Sequence, residues 1–512
     1  MEKKKNRREF LKTIGVAGIG GVATYAALGS KPAKAKGPSV KWDKEADVVV
    51  IGYGGAGAAA AIAAADAGAK VLILEKMDKG GGSTYMSGGN FSSPSDVEGA
   101  TKYLMACARA ADGEYFDLDV DFARAWAEEA GKNKKWVESL GIKVKMYIPK
   151  GWFDIEGRES YMSYGKIPKA GIGLWNGLTD AVNARNVEAM YNIKDSELVT
   201  REDGEVLGII AQGRAIKARK AAILTCGGID YNEKLKKNFL KAYPKYSVGH
   251  LGNTGDAIKL AAKTGADLWH MTAVCGNLCH KFPERPVANF SALQTGSGNQ
   301  AVIIVSKYGT RFTNESLPYD SFEKALDSFD AVKRDFPNIP CWCIFDEKTR
   351  LKGPAGIGSP MGGPIYGWSV DNSEEIAKGW IIKADTIKAL ARKINVDPSV
   401  LDKSVSTYNG YCAKGHDPDF GREKGLIPID KPPYYAAKGY PGMWGTSGGP
   451  RINKNAQVMN VRGEPVKRLY AAGNASAVSV TFLYPLGGTA IGDCFAMGRI
   501  AGRNAAAETP WS

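Results

Sequence analysis

The chain has 512 residues, 44% of them hydrophobic, and a formal net charge of +14, which is enough to bury a large core in two or more domains. Eight Lys or Arg against two acids fall within the first 35 residues; the remainder carries a generic basic surface with no basic run interleaved with aromatics, so nucleic acid is not an expected partner. The eight cysteines form neither the CxxC pairs of a zinc ribbon nor an iron–sulfur cluster set, and Cys275, Cys279 and His280 (CxxxCH) are one residue too long for haem attachment, so no metal is expected and buried thiols are the reading.

At the N-terminus, Arg7 and Arg8 followed by Phe10, Leu11 and Lys12 resemble the twin-arginine export signal of bacteria. Thr13 to Leu28 is apolar but diluted by glycines, too short for a stable membrane span, and Ala33-Lys34-Ala35 offers a small-x-small cleavage site. Residues 1–35 are therefore expected to be a signal peptide, leaving a periplasmic or otherwise extracytoplasmic protein with no membrane span after processing.

Val48 to Ile51 predicts a fully buried strand, and the alanine-rich Ala58 to Ala67 a helix packed against a sheet. Between them Gly52, Gly54 and Gly57 have dinucleotide-fingerprint spacing: a tight turn, a close approach of amides to a pyrophosphate, and contact of helix with strand. Gly55 and Ala56 complete the turn, which places the anion on the helix N-terminus. A second strand, Val71 to Leu74, ends at Glu75, placed to accept hydrogen bonds from the ribose hydroxyls of an ADP moiety beside Lys76. The loop that follows holds Gly82, Ser83, Thr84, Ser87, Gly88 and Gly89, small residues and amides suited to lie under a flavin ring and along its phosphates.

Residues 95–140 read as largely helical, and 193–223 as antiparallel hairpins with a turn at Asp203-Gly204. That run ends in a buried strand and the pair Gly227-Gly228, with Gly227 expected at the cofactor. Thr254 and Asp256 are expected to cap a helix over Ala257–Lys263, Asp256 also facing the cofactor. From 269 to 383, prolines, tryptophans and long loops replace the alanine-rich pattern, and 373–394 reads as helical. The last segment carries a short strand at Leu469–Ala472, then Gly473 and Asn474, then Ala490 and Ile491 ahead of a helix over Gly492–Ala507, beneath a second cofactor edge.

RFTNES at Arg311–Ser316, ESLPYD ending at Asp320, GHDPDFGR at Gly415–Arg422, GTSGG at Gly445–Gly449, YAAGNASA at Tyr470–Ala477, and Tyr484 followed by Gly488 resemble flavoproteins of the fumarate reductase and 3-ketosteroid dehydrogenase superfamily, closer to the second branch. The resemblance implies an α/β fold: a Rossmann-like FAD-binding domain of the glutathione-reductase type, residues 40–268 and 384–512, split by an inserted α+β substrate-capping domain, residues 269–383. It implies FAD, bound non-covalently because the glycine-rich loop has no His to take the flavin, and hydride exchange with flavin N5.

Where fumarate reductases place Arg, His and Arg for a dicarboxylate, this chain has Tyr319, Gly445 and Pro485, so the implied substrate is an apolar ketone or enone. In the ketosteroid dehydrogenase pattern the Tyr484 O–H and the Gly488 N–H polarise the ketone while Tyr319 moves the α-proton, with Arg311 a candidate to stabilise the Tyr319 phenolate. The third tyrosine of steroid 1,2-desaturases has no matching motif; Tyr147, Tyr161 and Tyr164 are possible substitutes. An external electron donor or acceptor is implied. Two other readings stay open: a respiratory reductase of another non-dicarboxylate conjugated acceptor, and a non-catalytic electron-transfer subunit.

Overall fold

The computed structural model describes residues 40–110, 113–114, 118–148, 155–161, 164–357, 365–476 and 482–511, all within one compact unit that starts at Gly37. The expected signal segment, with Arg7 and Arg8, lies outside the described residues, and no described helix is long and apolar enough to cross a membrane.

β1 (Lys44–Ile51), α1 (Gly55–Asp66) and β2 (Val71–Leu74) follow one another as the motif predicts, with Val48 opposite Val71 and Ile51 opposite Leu74 in parallel register. Parallel neighbours need a crossover, which α1 supplies. Ten of its twelve residues are buried, the pattern of a helix covered on all sides. It lies this close because a Cβ at Gly57 would stand 2.0 Å from the Gly52 carbonyl oxygen, and Gly52 turns the chain with a φ of +104°.

β3 (Arg214–Leu224) pairs in parallel with the other side of β1, and Pro465–Ala471 in parallel with β3. Glu188–Met190 extends the β2 edge, and the expected hairpins are present: Ser196–Thr200 and Val206–Ala211 pair antiparallel, the latter also with the first half of β3. The result is a mixed eight-stranded sheet.

A second eight-stranded sheet holds β4 (Val274–His280), against which α2 (Tyr319–Leu326) packs, and is centred on β5 (Tyr434–Thr446). β5 pairs antiparallel with β4, Cys341–Asp346 and Ile381–Ala384. Residues 384–446, expected in the cofactor domain, therefore supply this sheet's longest strand and the helix Pro398–Lys414 that packs on it. Gly439, Pro441, Gly442 and Gly445 interrupt the apolar pattern of β5 and hide it in the sequence. The chain returns at Gly449–Pro450, paired with Leu268–Trp269. Nor is 373–394 one helix: Gly379, φ +72°, follows Ser373–Ala377, a strand intervenes, and Thr386 caps Ile387–Lys393.

Asp230, fully buried, joins the two sheets by accepting from Asn253 Nδ2 at 2.6 Å and from the Thr446 N–H at 2.9 Å. α3 (Thr489–Ala507) lies on α1, where a Cβ at Gly502 would come within 2.2 Å of the Ala60 carbonyl oxygen. In the second layer RFTNES and GHDPDFGR meet as a buried ion cluster. Arg311 grips Glu315 with Nε at 2.8 Å and Nη2 at 2.7 Å, Nη2 also reaches Asp417 at 2.8 Å, and Arg422 Nη1 reaches Glu315 at 3.1 Å. Removing one partner of such a cluster strands buried charge: Glu315→Gln should lower stability by about 3–5 kcal/mol, measured as a fall in Tm by calorimetry.

Candidate active site

A cavity of about 420 Å³ has walls drawn from both sheets. Along one stretch lie Gly52, Gly54, Gly55 and Ala56 of the turn, Glu75 and Lys76 after β2, and Gly82, Ser83, Thr84, Ser87 and Gly88 of the glycine-rich loop. Gly227, Asp256, Asn474, Ala490 and Ile491 face the same space. Gly57, Gly89 and Gly473 are not on the wall. They allow close packing behind it, a Cβ at Gly473 falling 2.8 Å from Ala56 Cβ and one at Gly89 2.4 Å from the Ala170 carbonyl carbon.

Two helices open onto this cavity. α1 has Gly54 and α3 has Gly488 at the N-cap, neither with a capping side chain, so both turn a positive helix end toward the cavity, although the Gly55 N–H donates to Thr84 Oγ1 at 3.1 Å and the Ala490 N–H to the Tyr484 hydroxyl. Glu75 accepts from the N–H groups of Tyr53 at 2.7 Å and Met77 at 2.9 Å, one on each oxygen; each oxygen keeps a lone pair for a hydroxyl. Burial raises its pKa, and those two amides with Lys76 oppose the rise.

Asp256 does not cap its helix. The N-cap is Gly255, φ +85°, and the Asp256 carboxylate is held by Lys76 Nζ at 2.8 Å, which also donates to Thr254 Oγ1 at 2.7 Å. Residues the motifs do not announce complete this end. The Thr225 hydroxyl donates to the Gly52 carbonyl at 2.8 Å and locks the turn. His250 Nδ1 accepts from the Gly252 N–H at 3.1 Å, its pKa held down by burial and Lys76. Two helix N-termini, an anchored carboxylate, glycine walls that a Cβ would close, and the cations Lys76, Lys194 and Lys259 fit an ADP-bearing flavin.

The other end is uncharged: Val248, Cys275, Phe290, Tyr319, Trp444 and Tyr484 line it. The rings of Tyr319 and Tyr484 are 6.2 Å apart, and Phe290 stands edge-on to Tyr319 at 5.7 Å. Tyr319 opens α2; Tyr484 is buried, its hydroxyl accepting from the Ala490 N–H at 3.1 Å. Gly488, φ +94°, tolerates no side chain, since a Cβ would meet Phe91 N at 2.9 Å. The pKa values of both tyrosines are pushed well above 10, chiefly by burial, with Cys275 adding to each and Asp320 to Tyr319.

Arg311 does not serve Tyr319; it belongs to the ion cluster with Glu315 and Asp417. Of the possible third tyrosines, Tyr161 is buried with its hydroxyl 3.0 Å from Thr489 Oγ1, Tyr147 is on an exposed strand, and the Tyr164 side chain lies outside the described parts. Tyr103, not singled out by any motif, donates to the Pro485 carbonyl at 2.9 Å and fixes the turn below Gly488. His280 sits on β4 with its ring nitrogens 2.9 Å from the Lys438 carbonyl and 3.1 Å from Ser291 Oγ. Among the described residues no His, Cys, Asp and Glu cluster could hold a metal.

A family model described as an FAD binding domain matches residues 47–491. A probable fumarate reductase of Shewanella frigidimarina is 28% identical over 92% of this chain and 76% of its own length. A vinyl phenol reductase of Lactiplantibacillus plantarum is 28% identical over 90% of this chain and 97% of its own. Among solved structures, the 3-ketosteroid delta1-dehydrogenase of Sterolibacterium denitrificans, in complex with 1,4-androstadiene-3,17-dione, aligns with a TM-score of 0.78 at 24% identity, covering 91% of this chain and 100% of that one. Because Glu75 accepts from the Tyr53 and Met77 N–H groups, Glu75→Leu should leave both donors unpaired and lower Tm, and should weaken FAD binding about 10–100-fold, the worth of a hydrogen bond to a charged group, read by fluorescence titration of the apoprotein.

Proposed function

Because the chain belongs to the FAD-binding-domain family and has fumarate reductases and 3-ketosteroid dehydrogenases among its relatives, we propose that it interconverts a CH–CH and a C=C bond next to a ketone on a neutral, apolar substrate, with enone reduction the direction its site suits. The observation that carries the reading is the Tyr319–Tyr484 pair on an uncharged aromatic wall beside the open N-terminus of α3. FAD, held without a covalent bond, would supply the hydride chemistry that no side chain can.

The Tyr484 hydroxyl accepts from the Ala490 N–H and is in hydrogen-bond contact with the Cys275 thiol; with a ketone bound, the O–H would turn to donate to its oxygen. The Gly488 N–H, at the positive end of a 19-residue helix, is a second donor. Tyr319 is neutral: burial, Cys275 and Asp320 all raise its pKa, and its surroundings disfavour the phenolate that desaturation would need. Giving a proton to the α-carbon of an enolate asks only for the neutral phenol. With Tyr319, Gly445 and Pro485 where a dicarboxylate would need cations, fumarate has no partner. We also propose that the protein works outside the cytoplasm with an external electron donor, on the strength of Arg7 and Arg8. A second reading, reduction of a non-ketone conjugated acceptor, is favoured by the length of the vinyl phenol reductase match.

Viologen-reduced holoenzyme should be reoxidised by neutral enones such as cyclohex-2-enone or 4-androstene-3,17-dione and not by fumarate; turnover of 4-vinylphenol alone would favour the second reading. Tyr319→Phe should lower kcat about 10²–10⁴-fold and Tyr484→Phe about 10²–10³-fold with FAD retained; full turnover by both would remove the proposed site and leave the electron-transfer subunit. Since the raised pKa keeps Tyr319 protonated, kcat should show no tyrosine limb below about pH 10; a fall near pH 8 that Tyr319→Phe abolishes would contradict the neutral phenol.

A further inference from the structure

Asp320, the residue after Tyr319, is fully buried and does not line the cavity. Its Oδ1 accepts from the Gly276 N–H on β4 at 2.7 Å, and its Oδ2 from the Tyr484 N–H at 2.9 Å. One carboxylate thus joins the helix that carries Tyr319, the strand that carries Cys275 and the segment that carries Tyr484, which is 164 residues away in the chain. The far end of Tyr484 is held independently, through the Ala490 N–H. A carboxylate suits this place, since both oxygens only accept; an amide would turn a donor against one of the two N–H groups.

The charge around it is unbalanced. Lys324 Nζ lies 3.3 Å from Asp320 Oδ1 and 3.5 Å from Glu323; Glu323 also pairs with Lys245, which reaches Asp327 at 3.0 Å. Three carboxylates therefore share two ammonium groups behind the tyrosines. The groups that face Tyr319 are Cys275 from β4, Asp320 from its own helix, Tyr484, and the neutral Phe290 and Trp444, with Glu323 and Lys324 behind Asp320.

We propose that Asp320 is the positioning residue of the tyrosine pair, registering Tyr484 against Tyr319 through its two backbone hydrogen bonds, with its carboxylate set against any negative charge that forms at Tyr319. This rests on the reading of those tyrosines as the proton-moving pair. The charge acts through space, because a phenolate formed at Tyr319 would face a buried carboxylate and its unbalanced neighbours.

The test uses the FAD-loaded full chain with 2,3,5-trifluorotyrosine built in at position 319 or 484 and read by ¹⁹F NMR, so that no substrate is needed. In Asp320→Asn the titration midpoint at 319 should fall by one unit or more and the resonance at 484 should shift or broaden, with FAD content unchanged. An unmoved midpoint together with an unmoved resonance overturns the proposal. Should Asp320→Asn fail to fold, Lys324→Met reads the same charge from the other side: the midpoint at 319 should rise, and an unmoved one overturns the proposal. With an enone that the wild type reduces, Asp320→Asn should lower kcat at least tenfold with KM within twofold. If no enone reoxidises the wild-type flavin, the reading of function fails, and the NMR measurements still decide the role of Asp320.

Discussion

Two helices that start at the same cavity set the terms for everything around them. α1 and α3 begin behind uncapped glycines and lie on each other through alanine and glycine, with Gly498 and Gly502 set against Ala56 to Ala63. Side chains at those positions would drive the helices toward the 8–10 Å separation of ordinary packing, and the two helix N-termini would no longer address one ligand. The glycines of the fingerprint do the same for α1 and β1. The cofactor end is thus made chiefly from backbone, brought into place by the absence of side chains.

The tyrosine end is built the other way. Its wall is aromatic and comes from elements far apart in sequence: Phe290 and Trp444 from the second sheet, Tyr319 from α2, and Tyr484 from the turn ahead of α3. Charges are divided accordingly. Lys76, Lys194 and Lys259 line the cofactor end beside Glu75 and Asp256, and Asp320, Glu323 and Asp327 with Lys245 and Lys324 stand behind the uncharged end. Asp230 keeps the two ends in one frame by pinning the segment after β3 to the end of β5.

The cofactor half is legible in the sequence because its constraints are local: strand, turn, helix and terminal Glu75 lie within thirty residues, and each needs a particular residue type. Tyr319 and Tyr484 are legible only through the motifs around them, since nothing in their spacing says that their rings meet. Arg311 shows the limit of that kind of reading. It is near Tyr319 in the chain, but its fork is matched by Glu315 and by Asp417, 106 residues on, and two motifs that look like site elements prove to hold the second layer together. The roles of Asp320, Thr225 and Cys275 are not legible in the sequence because they are tertiary hydrogen bonds and contacts, and β5 conceals a central strand behind glycine and proline. Asp256 looks like a helix cap by position, yet Lys76, 180 residues earlier, takes its carboxylate.

The order in which the chain leaves the ribosome gives the pairing of α1 with α3 a further meaning. α1 is made early among the described elements, and the helix that covers it follows more than 400 residues later. Until then the most apolar helix of the cofactor half has no lid, and a pairing of such sequence separation forms slowly and leaves sticky surface exposed meanwhile. The nascent chain therefore has to be kept from aggregating until α3 emerges, and the nucleotide-binding frame can close only after that.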